Sequence, residues 1–334
     1  MILSQRKKLF ARWACAFLLL FWTAGAMPLR ALAQEGAVDA ADRFSQELAK
    51  FPDSYKDLLL ALHAKYPNWL FVAEDTGLSF PQAVFSQVGT QSVLQVGSTS
   101  APWLNKSPGY YLPERNRYLT MDAGGWAVTN AAAVAYWMDP RNFLEEHQIF
   151  LFESLSFDSA YHTEGGVEAI LSGTFMGGAA IAYRNAAGEA LQLDKTYAQA
   201  ILEAGRATGV SPYYLAAKIR SEVCQRDGSP SDSVTGQSSG QEGLYNFYNI
   251  GAYDGPSPIS SGLAWAAEGG TYGRPWDNPE KSILGGAQWI GESYIQVGQD
   301  TNYLQRFNVM PDAGAALYTH QYMTNLNGAV SASL

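Results

Sequence analysis

Residues 211–232 are SPYYLAAKIRSEVCQRDGSPSD, a helical pattern that runs directly into a loop rich in glycine and serine. The opening Ser-Pro pair is typical of a helix start, because serine caps free N–H groups and proline fits the first turn. At about 100° per residue, Leu215, Ile219 and Glu222 fall within one narrow stripe. A carboxylate there is disfavoured, since burial and the negative end of the helix dipole both oppose its charge. The position therefore predicts either a side chain turned to solvent or a group retained for chemistry.

The flanking sequence predicts a mainly helical C-terminal part with a small β lobe. Helical patterns cover LDKTYAQAILEAGRATGV, GLAWAAEGG and SILGGAQWIGESYIQVG, whereas LYNFYNIGAY (244–253) is aromatic and typical of a strand. The stretch 227–243 is too poor in apolar residues to pack into a core and is predicted to be mobile. The expected fold class is therefore α+β.

The N-terminal half has its own mixed pattern of helix and strand. The stretch DSYKDLLLALHAKY predicts a helix, and WLFVAE (69–74) is typical of a strand. Paired glycines at 165–166 and 177–178 mark a boundary, because such pairs punctuate packed segments. We therefore expect a mixed α/β accessory region of unknown function over 34–180 and a second domain over 181–334.

Residues 1–33 have the pattern of an export signal. Four basic residues precede the apolar run ACAFLLLFWTAGAM, and ALA at 31–33 offers small residues for cleavage. The apolar run is shorter than the about 20 residues that span a membrane, so a cleaved signal peptide is favoured over an uncleaved anchor. We therefore expect a secreted protein.

Composition argues against nucleic acid, metals and cofactors. The chain has 22 Lys and Arg against 31 Asp and Glu, and without the five basic residues of 1–33 its formal charge falls from −9 to −14. Phosphate backbones require basic surface, so a nucleic-acid partner is not expected. The four histidines lack the spacing of metal ligands, and neither a P-loop nor a dinucleotide fingerprint is present. We expect no metal and no cofactor.

One cysteine offers a rival chemistry. Cys15 lies in the export segment, which leaves Cys224 alone in the mature chain. A thiol with His320 and Asn325 downstream has the residue types of a cysteine peptidase. No peptidase signature surrounds Cys224, however, and a helix C-terminus disfavours a thiolate. We interpret Cys224 as a buried, inert residue.

Several ordered motifs of the C-terminal half resemble one enzyme family. They are SPYYLAAKIRSEV, GLYNFYNIGAY, YGRPWDNPEKSILGGAQWIGESYI and GQDTNYLQRFNV, followed by THQYMTNL. Together they resemble the bacterial cell-wall endo-β-N-acetylglucosaminidases, of the glycoside hydrolase family 73 type, over roughly residues 195–326. The resemblance implies a lysozyme-like catalytic domain that acts on peptidoglycan glycan strands. We expect the protein to be a monomer. It also implies hydrolysis of the β-1,4 bond after N-acetylglucosamine.

The resemblance also implies roles for particular residues. In this family the glutamate of the helix corresponding to AAKIRSEV is the general acid, which is Glu222 here. Glycoside hydrolysis needs such an acid to protonate the leaving oxygen. Asn249 of NIGA, together with Tyr294 and Tyr303, corresponds to residues that line the family's cleft.

Aromatic residues between these motifs are candidates for binding the glycan. Sugars stack through their C–H groups on aromatic faces, which favours Tyr245, Tyr248 and Trp276 as substrate-binding residues. The alternative is a core position, since a strand presents alternate residues to two faces. Arg274 could bind a carboxylate of a peptide stem or pair with an internal acid.

The second reacting group and the exact reaction stay open at this point. The carboxylates after Glu222 are Asp227, Asp232, Glu242, Asp254 and Glu268, of which Glu242 and Asp254 flank the expected strand. The acetamido group of the substrate is the alternative to a second carboxylate. The rival functions are a lytic transglycosylase on the same fold and a non-catalytic wall-binding protein that retains the fold.

Overall fold

The computed structural model describes residues 43–253 and 257–333. The predicted export signal and the candidate carboxylate Asp254 lie outside these residues. Within the described ranges, no helix has both the length and the apolar composition needed to cross a membrane.

Helices dominate the described chain, and short antiparallel strand pairs accompany them. The N-terminal half contains α1 (Asp53–Lys65), α2 (Phe80–Gln87), β1 (Val93–Gln95), β2 (Tyr111–Leu112), β3 (Arg117–Tyr118), β4 (Trp126–Val128) and α3 (Ala131–Met138). The C-terminal half contains α4 (Glu164–Leu171), β5 (Ala180–Arg184), β6 (Ala190–Thr196), α5 (Tyr197–Thr208), α6 (Pro212–Val223), α7 (Pro258–Ala267), α8 (Pro279–Ile290), α9 (Asn302–Phe307) and α10 (Gly328–Ser333). Strand β1 pairs with β4, β2 with β3 and β5 with β6. The predicted α+β class, mainly helical, is confirmed.

The larger core is built around α6. Helix α5 packs on α6 and α8, and α4 packs against both α5 and α6. The approach of α4 to α6 depends on Gly166, where an added Cβ would lie 2.1 Å from the phenol oxygen of Tyr213. Close-packed interiors leave no room for such an overlap, so glycine at this position lets the ring of Tyr213 lie directly against α4. The contacts with α4 and α5 hold α6 in place.

The cores do not separate at the predicted domain boundary. The core around α6 includes residues that precede 181, namely Leu155, Val167, Leu171 and Met176. A second core joins α2, α3 and their neighbours to residues near the C-terminus, namely Phe307, Val309 and Leu326. The division into 34–180 and 181–334 therefore needs correction, because each part supplies apolar side chains to a core of the other.

Two predicted strands are wrong. The segment 244–253 forms a loop, because three successive amides bond to three different parts of the chain. The N–H groups of Tyr245, Asn246 and Phe247 donate to Trp276 O (3.0 Å), Ser233 O (2.9 Å) and Ser282 Oγ (3.0 Å). A strand ladder would instead direct them to one neighbour. WLFVAE at 69–74 is also not a strand, and its aromatic side chains pack in a small separate core.

The segment 227–243 is packed rather than mobile. Glycines let it approach other main chain closely: a Cβ at Gly228 would lie 2.2 Å from a carbonyl after α4, and one at Gly243 would lie 2.3 Å from Ala186 N. Val234, which belongs to the segment, is buried. The prediction of mobility was wrong because composition does not reveal these tertiary contacts.

Candidate active site

The last turn of α6 carries the candidate acid. The buried face of this helix runs through Leu215, Ile219 and Val223. Val223 therefore continues the apolar stripe, and Glu222 lies at its edge with a partly buried side chain. The sequence pattern placed Glu222 inside the apolar stripe, whereas in the structure the next residue, Val223, occupies that place. Its carboxylate lies at the border between core and solvent, where a polymer could reach it.

Asn249 contacts Glu222 directly. Its Nδ2 donates to the main-chain carbonyl of Glu222 at 2.8 Å and to Oε2 of the same residue at 3.3 Å. The first bond satisfies one of the carbonyl groups that a helix leaves free at its C-terminus. The second restrains the carboxylate. The structure thus brings together the two residues that the resemblance placed in the cleft.

The loop that presents Asn249 is fixed by a buried neighbour. Asn246 donates from Nδ2 to Ile250 O (2.8 Å) and Gly262 O (2.9 Å), and its Oδ1 accepts from Ile250 N (3.1 Å). Asn249 itself has φ 49°, a left-handed conformation that asparagine tolerates better than most residues. No role for Asn246 was predicted from the sequence, although an asparagine inside an aromatic run is a signal for such a buried anchor.

Helix α6 also presents a polar face with a spacing of four residues: Tyr214, Lys218 and Glu222. Lys218 Nζ donates to the phenol of Tyr322 at 2.9 Å. It lies 4.2 Å from the ring centroid of Tyr322 and 5.7 Å from that of Tyr214. Burial lowers the pKa of Lys218, but the two phenols and the Glu222 carboxylate outweigh it and leave the pKa above its usual range. The sequence patterns did not single out Lys218 or Tyr322, although Lys218 lies four residues before Glu222 and Tyr322 lies in the motif THQYMTNL.

Tyr294 lies on the same side of the molecule as this face. It belongs to one turn of π-helix, Gly291–Ile295, that follows α8. Its ring stacks on His320 with centroids 4.8 Å apart and meets the ring of Tyr322 edge-on at 5.4 Å. Single π-turns are frequent at functional sites. The contacts connect Tyr294 through Tyr322 to Lys218 and so to the helix that bears Glu222.

Tyr303 is placed elsewhere. Its phenol donates to Met138 O at 2.8 Å, and its ring packs against Phe152 and Phe307. Burial raises the pKa of Tyr303. These contacts join the C-terminal segment to the N-terminal half, and the structure shows no contact of Tyr303 with the group around Glu222.

The three aromatic residues predicted to bind glycan are core residues. Tyr245 is 1% exposed and its phenol bonds to Arg184 N and O at 2.8 Å each. Trp276 is 0% exposed, and Tyr248 fits against Gly286, where an added Cβ would lie 2.0 Å from its ring. A sugar needs an exposed ring face, so this structure corrects the substrate-binding role assigned to them.

Of the four candidate second carboxylates that the structure describes, three are engaged by their own neighbours. Asp227 accepts from Ser229 N (3.0 Å) and Oγ (2.6 Å), which lower its pKa. Glu242 accepts from Gly240 N at 3.0 Å. Glu268 pairs with Arg274 at 3.1 Å, so the arginine has the internal partner that the sequence left open. Asp232 is exposed at the start of a short 3-10 helix.

The residues of the peptidase hypothesis are not assembled. His320 Nε2 bonds to Ser293 O at 2.7 Å, and Asn325 Oδ1 accepts from Asn327 N at 3.0 Å. Burial raises the pKa of Cys224, with Thr174 and Arg220 opposing it weakly. Within the described ranges, no group of three or more His, Cys, Asp or Glu residues is arranged to hold a metal ion.

Known proteins are similar to part of this chain. A β-N-acetylglucosaminidase of Bacillus subtilis (strain 168) is 30% identical over 212 residues, which are 61% of this chain and 20% of the relative. A bifunctional autolysin of Staphylococcus aureus (strain MSSA476) is 38% identical over 85 residues, 25% of this chain and 6% of the relative. The chain thus spans a fifth or less of the length of these relatives. They confirm the resemblance to bacterial glucosaminidases.

No protein-family model matches the chain. Among solved structures, S. aureus glucosaminidase B is 20% identical with a TM-score of 0.48, covering 77% of this chain and 82% of that one. The major bifunctional autolysin is 21% identical with a TM-score of 0.47, covering 77% of this chain and 87% of that one.

Proposed function

We propose that this chain, a relative of bacterial β-N-acetylglucosaminidases, hydrolyses peptidoglycan and that Glu222 is its general acid. The observation that carries the proposal is the contact between Asn249 and Glu222. One amide holds both the helix end and the partly buried carboxylate at the border of the core. The names of the relatives support the reaction class.

The chemistry assigned to Glu222 is proton transfer. Its carboxylic acid donates a proton to the glycosidic oxygen as the bond from that oxygen to the sugar C1 breaks. Water adds its hydroxyl group to C1, and the proton that it releases restores the protonated form of Glu222, either directly or by way of the group that assists the water. Assistance to the water comes from a second group, either a carboxylate after Glu222 or the acetamido group of the substrate. A positioned acid of this kind contributes about 10²–10⁴-fold to the rate.

The polar face of α6 and the aromatic group beside it form the proposed glycan-binding surface. Tyr322 is 37% exposed and Tyr294 is partly exposed, so their rings, unlike those of the core aromatics, are open to a ligand.

The bond cleaved in this proposal is the β-1,4 bond after N-acetylglucosamine. The protein acts as a secreted monomer at the cell wall and uses no cofactor.

Product analysis tests this proposal. Residues 34–334 are incubated with purified peptidoglycan. The soluble products are then reduced with borohydride, and their masses are determined by mass spectrometry. Hydrolysis adds one water per bond and leaves N-acetylglucosamine at the reducible ends. Anhydro-sugar ends would identify a lytic transglycosylase instead. Binding to the wall with no soluble product would identify a non-catalytic protein.

A further inference from the structure

Lys218 is a cation at the proposed site without a carboxylate in contact. Its Nζ lies between two aromatic rings and gives one N–H to the phenol of Tyr322. Within the described part of the chain, the ion pairs of 4 Å or less do not include it. An ammonium group has three N–H donors. Two donors of Lys218 are therefore left for a ligand.

The aromatic partners of Lys218 are themselves fixed. Tyr214 donates from its phenol to Gln305 Oε1 at 3.3 Å, and the main-chain N–H of Tyr322 donates to Gln305 O at 2.9 Å. Gln305 is buried in α9. A lysine side chain normally loses much rotamer freedom when it binds a ligand. Here the two rings restrict the side chain beforehand, which lowers that cost.

The phenol of Tyr322 adds a second donor. Because its oxygen accepts the N–H of Lys218, its own hydroxyl hydrogen is free to point away from the lysine. A carboxylate next to both groups would accept one bond from Nζ and one from the phenol, and charge-assisted bonds of this kind are the stronger ones. Arg274, by contrast, already has its charge matched by Glu268 at 3.1 Å.

We propose that Lys218, with Tyr322, binds a carboxylate carried by the peptide or lactyl substituent of the wall glycan. The site would then prefer acidic, substituted strands to neutral ones of the same backbone. This inference rests on the proposed function, and it assigns to Lys218 a contact with substrate rather than with the scissile bond.

Two soluble peptidoglycan fragments that share the same scissile bond provide the test. One carries free carboxylates on its substituents, and in the other these are amidated. The wild-type protein is expected to have a KM about tenfold lower for the acidic fragment, since one charged contact of about 1.4 kcal/mol gives that factor. Equal KM values for the two fragments would overturn the inference. If neither fragment is cleaved, the proposed function itself fails and the inference falls with it.

Variants of Lys218 and Tyr322 test whether these two residues cause the preference for the acidic fragment. Lys218→Met is expected to raise KM for the acidic fragment to that of the amidated one while kcat changes little, and Lys218→Arg is expected to keep the preference. Tyr322→Phe, which removes the phenol donor, should lose part of the preference for the acidic fragment. An equal fall of kcat on both fragments in Lys218→Met would show a positioning role and contradict the inference. Circular dichroism establishes whether each variant is folded. If Lys218→Met is not folded, the KM values of the wild type for the acidic and the amidated fragments decide whether the inference holds.

Discussion

Nδ2 of Asn249 lies 2.8 Å from the main-chain oxygen of Glu222 and 3.3 Å from its Oε2. One side chain therefore binds both a main-chain carbonyl in the last turn of α6 and the carboxylate of the same residue. Because Asn246 fixes the loop on which Asn249 stands, the orientation of Glu222 depends on packing as far away as Gly262. Loss of any of these contacts should therefore disturb the orientation of the Glu222 carboxylate.

Asn249→Ala is expected to reduce kcat by about 10²-fold with a small effect on KM. The variant leaves the acid in place but free to turn, and a misplacement of about 1 Å can cost that factor. Steady-state kinetics on a soluble peptidoglycan fragment measure it. Asn327→Ala, at an exposed asparagine that precedes α10, is the matched control. Wild-type kcat in Asn249→Ala would show that the contact does not orient the acid.

Stability at alkaline pH should depend on Tyr214. Burial raises the pKa of Tyr214 to about 12, although Lys218 opposes the shift. The unfolded chain releases this proton near pH 10, whereas the folded chain keeps it until about pH 12. The stabilisation is therefore complete below pH 10 and is lost as the pH rises to 12.

Tyr214→Phe removes this linkage. Between pH 10 and 12 the free energy of unfolding of the wild type should fall more steeply than that of the variant, by about 1.4 kcal/mol per pH unit. Urea unfolding at a series of pH values measures both slopes. Tyr253→Phe serves as the control, because this ring is 74% exposed. Identical slopes for wild type and Tyr214→Phe would refute the assignment.

A fragment of residues 181–334 should not fold cooperatively. Sequence patterns favour this fragment as a domain, but it lacks Val167, Leu171 and Met176, which are fully buried in the core around α6. It also leaves Phe307 without its N-terminal partners. Thermal unfolding followed by circular dichroism should show a sharp transition for 34–334 and a broad one or none for 181–334. A sharp transition and wall cleavage by the fragment would restore the predicted division.

The parts of the fold that the sequence predicted depend on local signals. Helix α6 begins where its Ser-Pro pair predicted, with Ser211 accepting from Tyr214 N at 3.3 Å. Helix α5 has the capping box of Thr196 and Gln199 and ends at Gly209 with φ 72°. These features follow from chemistry within one turn of chain. The proximity of Glu222 and Asn249 was implied by family resemblance and not by any local pattern.

The parts that the sequence missed depend on tertiary contacts. The hairpin β5–β6 was overlooked, although its turn has a local signal in Gly188 with φ 78°. Trp276 and Tyr248 were candidates for glycan binding because the sequence does not reveal that they pack against Gly285 and Gly286 of α8, respectively. The contact between Lys218 and Tyr322 forms only in the folded chain, because 104 residues separate the two.

The most direct test of the central claim is the turnover of purified peptidoglycan by Glu222→Gln. The substitution keeps the shape of the side chain and an acceptor but removes the acid, so we expect a folded protein with activity reduced by about 10³-fold or more. Glu203→Gln, which changes a carboxylate in an exposed ion pair with Lys195, should retain wild-type activity. If Glu222→Gln is folded and keeps more than about a tenth of the wild-type rate, a loss smaller than any expected for a general acid, then Glu222 is not the acid.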